Sequence, residues 1–137
     1  MMVIPIYIQA GITGFESPAL EYKTLGLSLD DLLITNPNAT FIGLANGHSM
    51  RNKGIYSGDI LIVDRIKKVK NGAVIVANFN GDFICKELDI VNKQLLSASD
   101  DYPPVNISAT DNFQIEGVVP FSIRMHDKNA RILSCMP

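Results

Sequence analysis

Asn80-Gly81 constrains the fold of this chain more than any other pair of residues. A two-residue type I′ hairpin turn needs positive φ at both central positions, and Asn-Gly adopts that conformation at little cost. The runs on either side, residues 73–79 and 82–88, are rich in Val, Ile and Phe and short enough to be strands. They predict an antiparallel hairpin at the centre of the chain. Further short apolar runs at 40–45, 60–64, 94–98, 113–120 and 122–126 read as strands. Only one helix is expected. Ser28 can cap it, Asp30 and Asp31 complement its first turn, and Leu29, Leu32 and Leu33 form its apolar face. Asn36-Pro37 ends it. Pro5, Gly11, Gly14, Pro18 and Gly26 punctuate residues 1–26, which read as an extended arm. The expected fold class is mostly β, with an arm over 1–26 and a core domain over 27–137.

At 137 residues the chain is one domain with room for a single hydrophobic core. A net charge of −2 leaves no electrostatic footprint for nucleic acid. The basic run of Lys67, Lys68 and Lys70 reads as a solvated connection between two strands. No apolar run approaches the ~20 residues that cross a bilayer. The N-terminal decapeptide is apolar but lacks a basic start, so it is a poor signal peptide. Cys85 and Cys135 are too few for a disulfide scaffold and lack metal-ligand spacing, which points to the reducing cytoplasm. There is no zinc motif, phosphate loop or dinucleotide fingerprint, so no metal or cofactor is expected.

Two residues carry candidate chemistry. Ser49, in Gly47-His48-Ser49-Met50, follows a strand and precedes the turn-rich stretch Gly54-Ile55-Tyr56-Ser57-Gly58-Asp59. A serine in such a place is also a common turn former. If it opens a tight turn, however, the N–H groups of Ser49 and Met50 can point outward as an oxyanion hole. Lys86 lies inside the second hairpin strand. Alternation puts Ile84, Lys86 and Leu88 on one face and Phe83, Cys85 and Glu87 on the other. A strand lysine usually meets solvent, but this one has apolar neighbours, and burial without a counter-ion lowers a lysine pKa. Glu87 faces away and should not neutralise it. A neutral lysine can take the proton of a serine hydroxyl and let the serine attack a carbonyl. His48 and His126 are the only histidines, and His48 should face away from Ser49 on the surface. Cys85 reads as a small packing residue.

The spacing of these pieces resembles a known family. Gly-x-Ser-Met, then Gly-Ile-x-x-Gly-Asp-x-Leu-Ile-Val-Asp over 54–64, then Gly-x-Phe-x-x-Lys over 81–86, is similar to the LexA/UmuD/phage-repressor family of self-cleaving serine peptidases. Residues 14–22, residues 28–34 and Gly117-Val118-Val119 extend the match. The resemblance implies a small curved β-fold with one short N-terminal helix, Ser49 as nucleophile and Lys86 as general base. It also implies that the substrate is the chain's own arm. The family cuts before a glycine, and alignment of Gly14-Phe15-Glu16-Ser17-Pro18-Ala19 makes that bond Thr13–Gly14. The family favours Ala or Cys ahead of the glycine, a preference that Ala10–Gly11 meets three residues earlier. A shift of three reverses the face each side chain presents.

Thirteen residues ahead of the cut cannot build a helix-turn-helix domain, so sequence-specific DNA binding is not expected. The resemblance then implies the UmuD branch. In that branch a RecA–single-stranded DNA filament promotes self-cleavage in the SOS response to DNA damage. The trimmed homodimer then joins a UmuC-like Y-family polymerase for error-prone translesion synthesis. A non-cleaving polymerase accessory with a vestigial dyad is the main alternative, and a peptidase acting in trans is a third reading.

Overall fold

The structure, a computed structural model, describes Val3, Ile8, Ala10, Gly11 and residues 26–127. The chain divides into two compact units, Met1–Thr35 and Asn36–Pro137.

In the first unit, α1 spans Leu29–Leu33. Its N-cap is the expected Ser28, whose Oγ accepts the Asp31 N–H at 3.1 Å while Asp31 Oδ2 accepts the Ser28 N–H at 3.1 Å. This reciprocal capping box satisfies two donors that a helix start leaves orphaned. The Val3 N–H donates to Leu27 O at 2.9 Å. The rest of the arm, with the candidate bond Thr13–Gly14, lies outside the described residues, and so does Cys135. Ala10 and Gly11 are described and exposed.

The second unit is built on one antiparallel sheet. Its strands are β1 (Thr40–Leu44), β2 (Ile60–Asp64), β3 (Val74–Phe79), β4 (Asp82–Asp89), β5 (Gln94–Leu96), β6 (Val105–Asn106) and β7 (Phe113–Ile123). Their spatial order is β1-β2-β7-β3-β4-β5-β6. The mostly-β class with one short helix is as expected. The predicted hairpin is β3–β4, with Phe79 opposite Asp82 across the turn. Asn80 and Gly81 both have positive φ, 52° and 93°, as a type I′ turn requires.

One expectation is corrected. Residues 113–120 and 122–126 do not form two strands; they are a single strand that runs through Pro120 to Ile123. Proline interrupts a central strand because it cannot donate to the ladder. Here the ladder makes no demand on it. Pairing of β7 with β3 ends at Val118, and pairing with β2 slips between Asp64↔Val118 and Ile62↔Phe121. Pro120 occupies that irregularity.

Apolar residues line both faces of the sheet. Met50, Ile55, Leu61, Val63, Val76 and Val119 form one buried cluster, and Ile75, Ala77, Leu88, Leu95 and Val118 form the other. The central β7 lies close against its paired neighbour β2 at Gly117. A Cβ there would lie 2.7 Å from Val63 Cγ1 and 2.8 Å from the Asp64 carbonyl oxygen. Backbone cannot yield as a side-chain end can, so Gly117→Ala should overpack the β2–β7 contact and cost about 2–3 kcal/mol of stability. Urea denaturation would measure it as a lower midpoint at unchanged slope. A midpoint equal to wild type would show that β7 can move away from β2.

Candidate active site

Ser49 sits at the mouth of a tight turn that follows β1, and the buried Met50, 3% exposed, plugs the turn into the first core cluster. A 3₁₀ turn over Arg51–Lys53 follows. Its hydrogen bonds begin with the Arg51 N–H, which donates to His48 O at 3.3 Å, and continue with Lys53 N–H to Met50 O at 3.0 Å. The N–H groups of Ser49 and Met50 precede these and make no hydrogen bond among the described residues. Donors left unused at the start of a turn are available to an anion or a carbonyl oxygen.

The turn is held from below. Asp59, 2% exposed, accepts the Tyr56 N–H at 2.8 Å and both Nε and Nη2 of Arg124, at 3.0 and 2.9 Å. The same guanidinium donates to Gly54 O at 2.7 Å and lies over the Tyr56 ring, 4.1 Å from its centroid. Burial pushes the Asp59 carboxyl up, but the Arg124 and Tyr56 hydrogen bonds outweigh it and hold the group below the usual carboxylate range. The end of β1 is tied in too, since Ala45 N–H donates to Asp59 O and Gly58 N–H to Ala45 O, both at 2.8 Å. Sequence reasoning missed Arg124. It lies 65 residues from Asp59, and no local pattern links the two.

Lys86 lies in β4 opposite Ile75, with Cys85 opposite Val76. Strand alternation then puts Lys86 with Ile84 and Leu88, as the sequence predicts. Glu87 pairs with Lys53 at 3.7 Å and leaves Lys86 without a carboxylate partner among the described residues. Burial lowers the Lys86 ammonium below its ordinary value, with a small opposing pull from Cys85. The same burial pushes the Cys85 thiol up to about 11, which suits a packing residue and not a nucleophile. His48 is exposed, as expected of a surface residue, and His126 is exposed too.

Ser49 and Lys86 border the same cavity of about 330 Å³, walled by Phe41, Leu44, Met50 and Leu61. The Lys86 amine does not hydrogen-bond Ser49. It donates to Ser97 Oγ at 2.8 Å and lies 5.5 Å from the Tyr102 ring centroid. Neither Ser97 nor Tyr102 stood out in the sequence. The signal lay in register: Leu88 pairs with Leu95 and Glu87 with Leu96, so the next step puts Ser97 opposite Lys86. The four-residue loop that sets this register carries Lys93 at φ 51° in place of a glycine, and so gave no clear turn signature. No cluster of three or more His, Cys, Asp or Glu that could hold a metal occurs among the described residues.

Residues 3–120 match the Peptidase S24-like family, which spans most of the chain. The chain belongs to the S24 peptidase family. Protein ImpA of Salmonella typhimurium is 35% identical over 117 residues, covering 85% of this chain and 81% of its own length. Protein MucA of Escherichia coli is 34% identical over 125 residues, covering 90% of this chain and 86% of itself. The LexA repressor of Photobacterium profundum is 35% identical over 100 residues, 71% of this chain and 52% of that protein. The resemblance read from the Ser49 and Lys86 contexts is thus borne out at the level of the family, a family of serine peptidases, and ImpA and MucA are UmuD-like relatives. No helix among the described residues is long and apolar enough to cross a membrane.

Proposed function

We propose that this S24 peptidase cuts its own N-terminal arm. Ser49 Oγ attacks the carbonyl carbon of the scissile bond while its proton passes to a neutral Lys86 Nζ. The oxyanion that forms accepts hydrogen bonds from the Ser49 and Met50 N–H groups. The Lys86 ammonium then returns the proton to the leaving glycine nitrogen, the C–N bond breaks, and water hydrolyses the ester left on Ser49. The arm of residues 1–26 is the substrate segment, and residues 27–137 are the part that performs the chemistry. One observation carries the reading: a serine beside unused backbone donors and a lysine with a lowered pKa share one apolar-walled cavity.

The biological setting follows from kinship with the UmuD-like relatives. A RecA–single-stranded DNA filament is proposed to promote cleavage. The trimmed protein is proposed to act in the cytoplasm as a homodimer with a UmuC-like Y-family polymerase in SOS mutagenesis. A second reading has one observation in its favour. The Lys86 amine bonds Ser97 and not Ser49, as it would in a polymerase accessory with a vestigial dyad.

Intact-mass measurement after incubation at about pH 10, where even an unshifted lysine is substantially neutral, tests the peptidase reading. Loss of the first 13 residues is expected. If Thr13–Gly14 is the bond, Thr13→Ala should speed cleavage several-fold, because a small unbranched residue fits the pocket before the cut better than a β-branched one. Gly14→Lys should block it and Gly11→Lys should have little effect. The opposite pattern would move the cut to Ala10–Gly11 and leave the catalytic assignment intact. A chain that keeps its full mass both at this pH and with the filament would favour the accessory reading.

A further inference from the structure

A general base must do more than be neutral; its lone pair has to lie within about 2.6–3.2 Å of the proton it takes. Lysine is poorly suited to this by itself, because its four-carbon stem carries about 2 kcal/mol of rotamer entropy. Lys86 meets this difficulty through the segment after β5. Its Nζ donates to Ser97 Oγ at 2.8 Å and lies 5.5 Å from the Tyr102 ring centroid.

That segment is itself fixed. Leu95, 1% exposed, anchors it in the second core cluster. The buried Ser99 accepts the Tyr102 N–H through its carbonyl at 3.3 Å. Between them, Ala98 O accepts the Asn52 N–H at 2.6 Å. Asn52 belongs to the 3₁₀ turn that follows Ser49, so the residue after Ser97 is tied to the turn that presents the nucleophile. Arg51, in the same turn, adds an ion pair to Asp101 at 3.6 Å.

From this geometry we infer that Ser97 is a positioning residue for Lys86: its hydroxyl holds one amine N–H so that the nitrogen lone pair is directed at Ser49. The inference rests on the peptidase reading above. The neutral amine has two N–H bonds and one lone pair. One N–H goes to Ser97, and the lone pair remains for the Ser49 proton. After transfer the ammonium keeps its bond to Ser97, which neither gains nor loses a proton. Ser97 also has a second, opposing effect. A hydroxyl accepts more strongly from an ammonium than from an amine, so it favours the charged form. Its loss should therefore lower the Lys86 pKa while disordering the base.

The test compares Ser97→Val with Ser97→Thr, nearly identical in shape, with Ser97→Ala as a smaller replacement that guards against a folding defect. Self-cleavage rates are followed from pH 6 to pH 11, and Lys86 is titrated through its ¹³Cε resonance in a Ser49→Ala background. In Ser97→Val and Ser97→Ala the alkaline plateau should fall about tenfold, and the Lys86 midpoint should drop by up to about one pH unit. The two effects offset each other at neutral pH and separate above the midpoint, a pattern that simple unfolding does not produce. Ser97→Thr should restore both plateau and midpoint. A plateau at or above the wild-type rate in Ser97→Val would overturn the inference, with a faster rate marking Ser97 as a restraint on the base. Should wild type fail to cleave, or Ser49→Ala cleave equally, the peptidase reading falls. The resonance titration then still decides the Ser97 contact, which an unmoved midpoint in Ser97→Val would refute.

Discussion

Ser49→Ala is expected to abolish self-cleavage at about pH 10 and to leave the fold unchanged. The side chain is half-buried at a turn, and its hydroxyl makes no hydrogen bond among the described residues, so its removal should cost little stability. The chemistry loses the atom that forms the acyl bond. Alanine keeps the backbone N–H, so the oxyanion donors at 49 and 50 survive the substitution, and any residual rate reports what those donors achieve alone. The expected fall is at least about a thousandfold, to below detection by intact mass over days. Thermal unfolding should differ from wild type by no more than a few degrees. Cleavage at the wild-type rate in this variant would remove Ser49 from the reaction and with it the proposed function.

Lys86→Met should also lose activity, yet be at least as stable as wild type. Methionine keeps the length of the stem and removes a group whose charged form burial disfavours. A residue that merely held the fold would show the reverse. The loss of rate should be about a hundred- to ten-thousandfold, the range of a general base. The wild-type pH profile follows from the direction of the shift. Only a neutral amine could take the Ser49 proton, so the rate should rise as pH rises. It should level off above the Lys86 pKa, which burial moves below the ordinary ~10.4 of a lysine. Lys53→Ala and Lys93→Ala are the controls, since Lys53 is bound up with Glu87 and Lys93 is an exposed loop residue. A rate that is flat from pH 6 to pH 10 would contradict a titrating lysine base.

Local chemistry was legible in the residues themselves. Asn80-Gly81 specified its turn because the two residues that need positive φ are adjacent. Ser28 and Asp31 specified the helix start because a capping box is complete within four residues. The alternation around Lys86 put it beside Ile84 and Leu88 and kept Glu87 off it, because the period of a strand needs no tertiary information. Ser49 and Lys86, each an ordinary turn or strand residue by its neighbours alone, stood out only through the longer pattern that resembles the family.

Pairing across the sheet was another matter. The last strand, β7, inserts between β2 and β3, so Pro120 falls in the one stretch where neither neighbour needs its missing N–H. A proline in an apolar run reads as a break until its partners are known. Gly117 looked like part of a pattern, and only the close approach to Val63 and Asp64 of the paired strand supplies the steric reason for it. Arg124 beneath the serine turn and Ser97 against the lysine amine belong to the same class. Each is an ordinary residue in sequence, given its role by the contact that register and strand order create. Turn and strand preferences are decided within a few bonds, whereas hydrogen-bond partners tens of residues away are decided by which apolar faces the folded chain buries against each other.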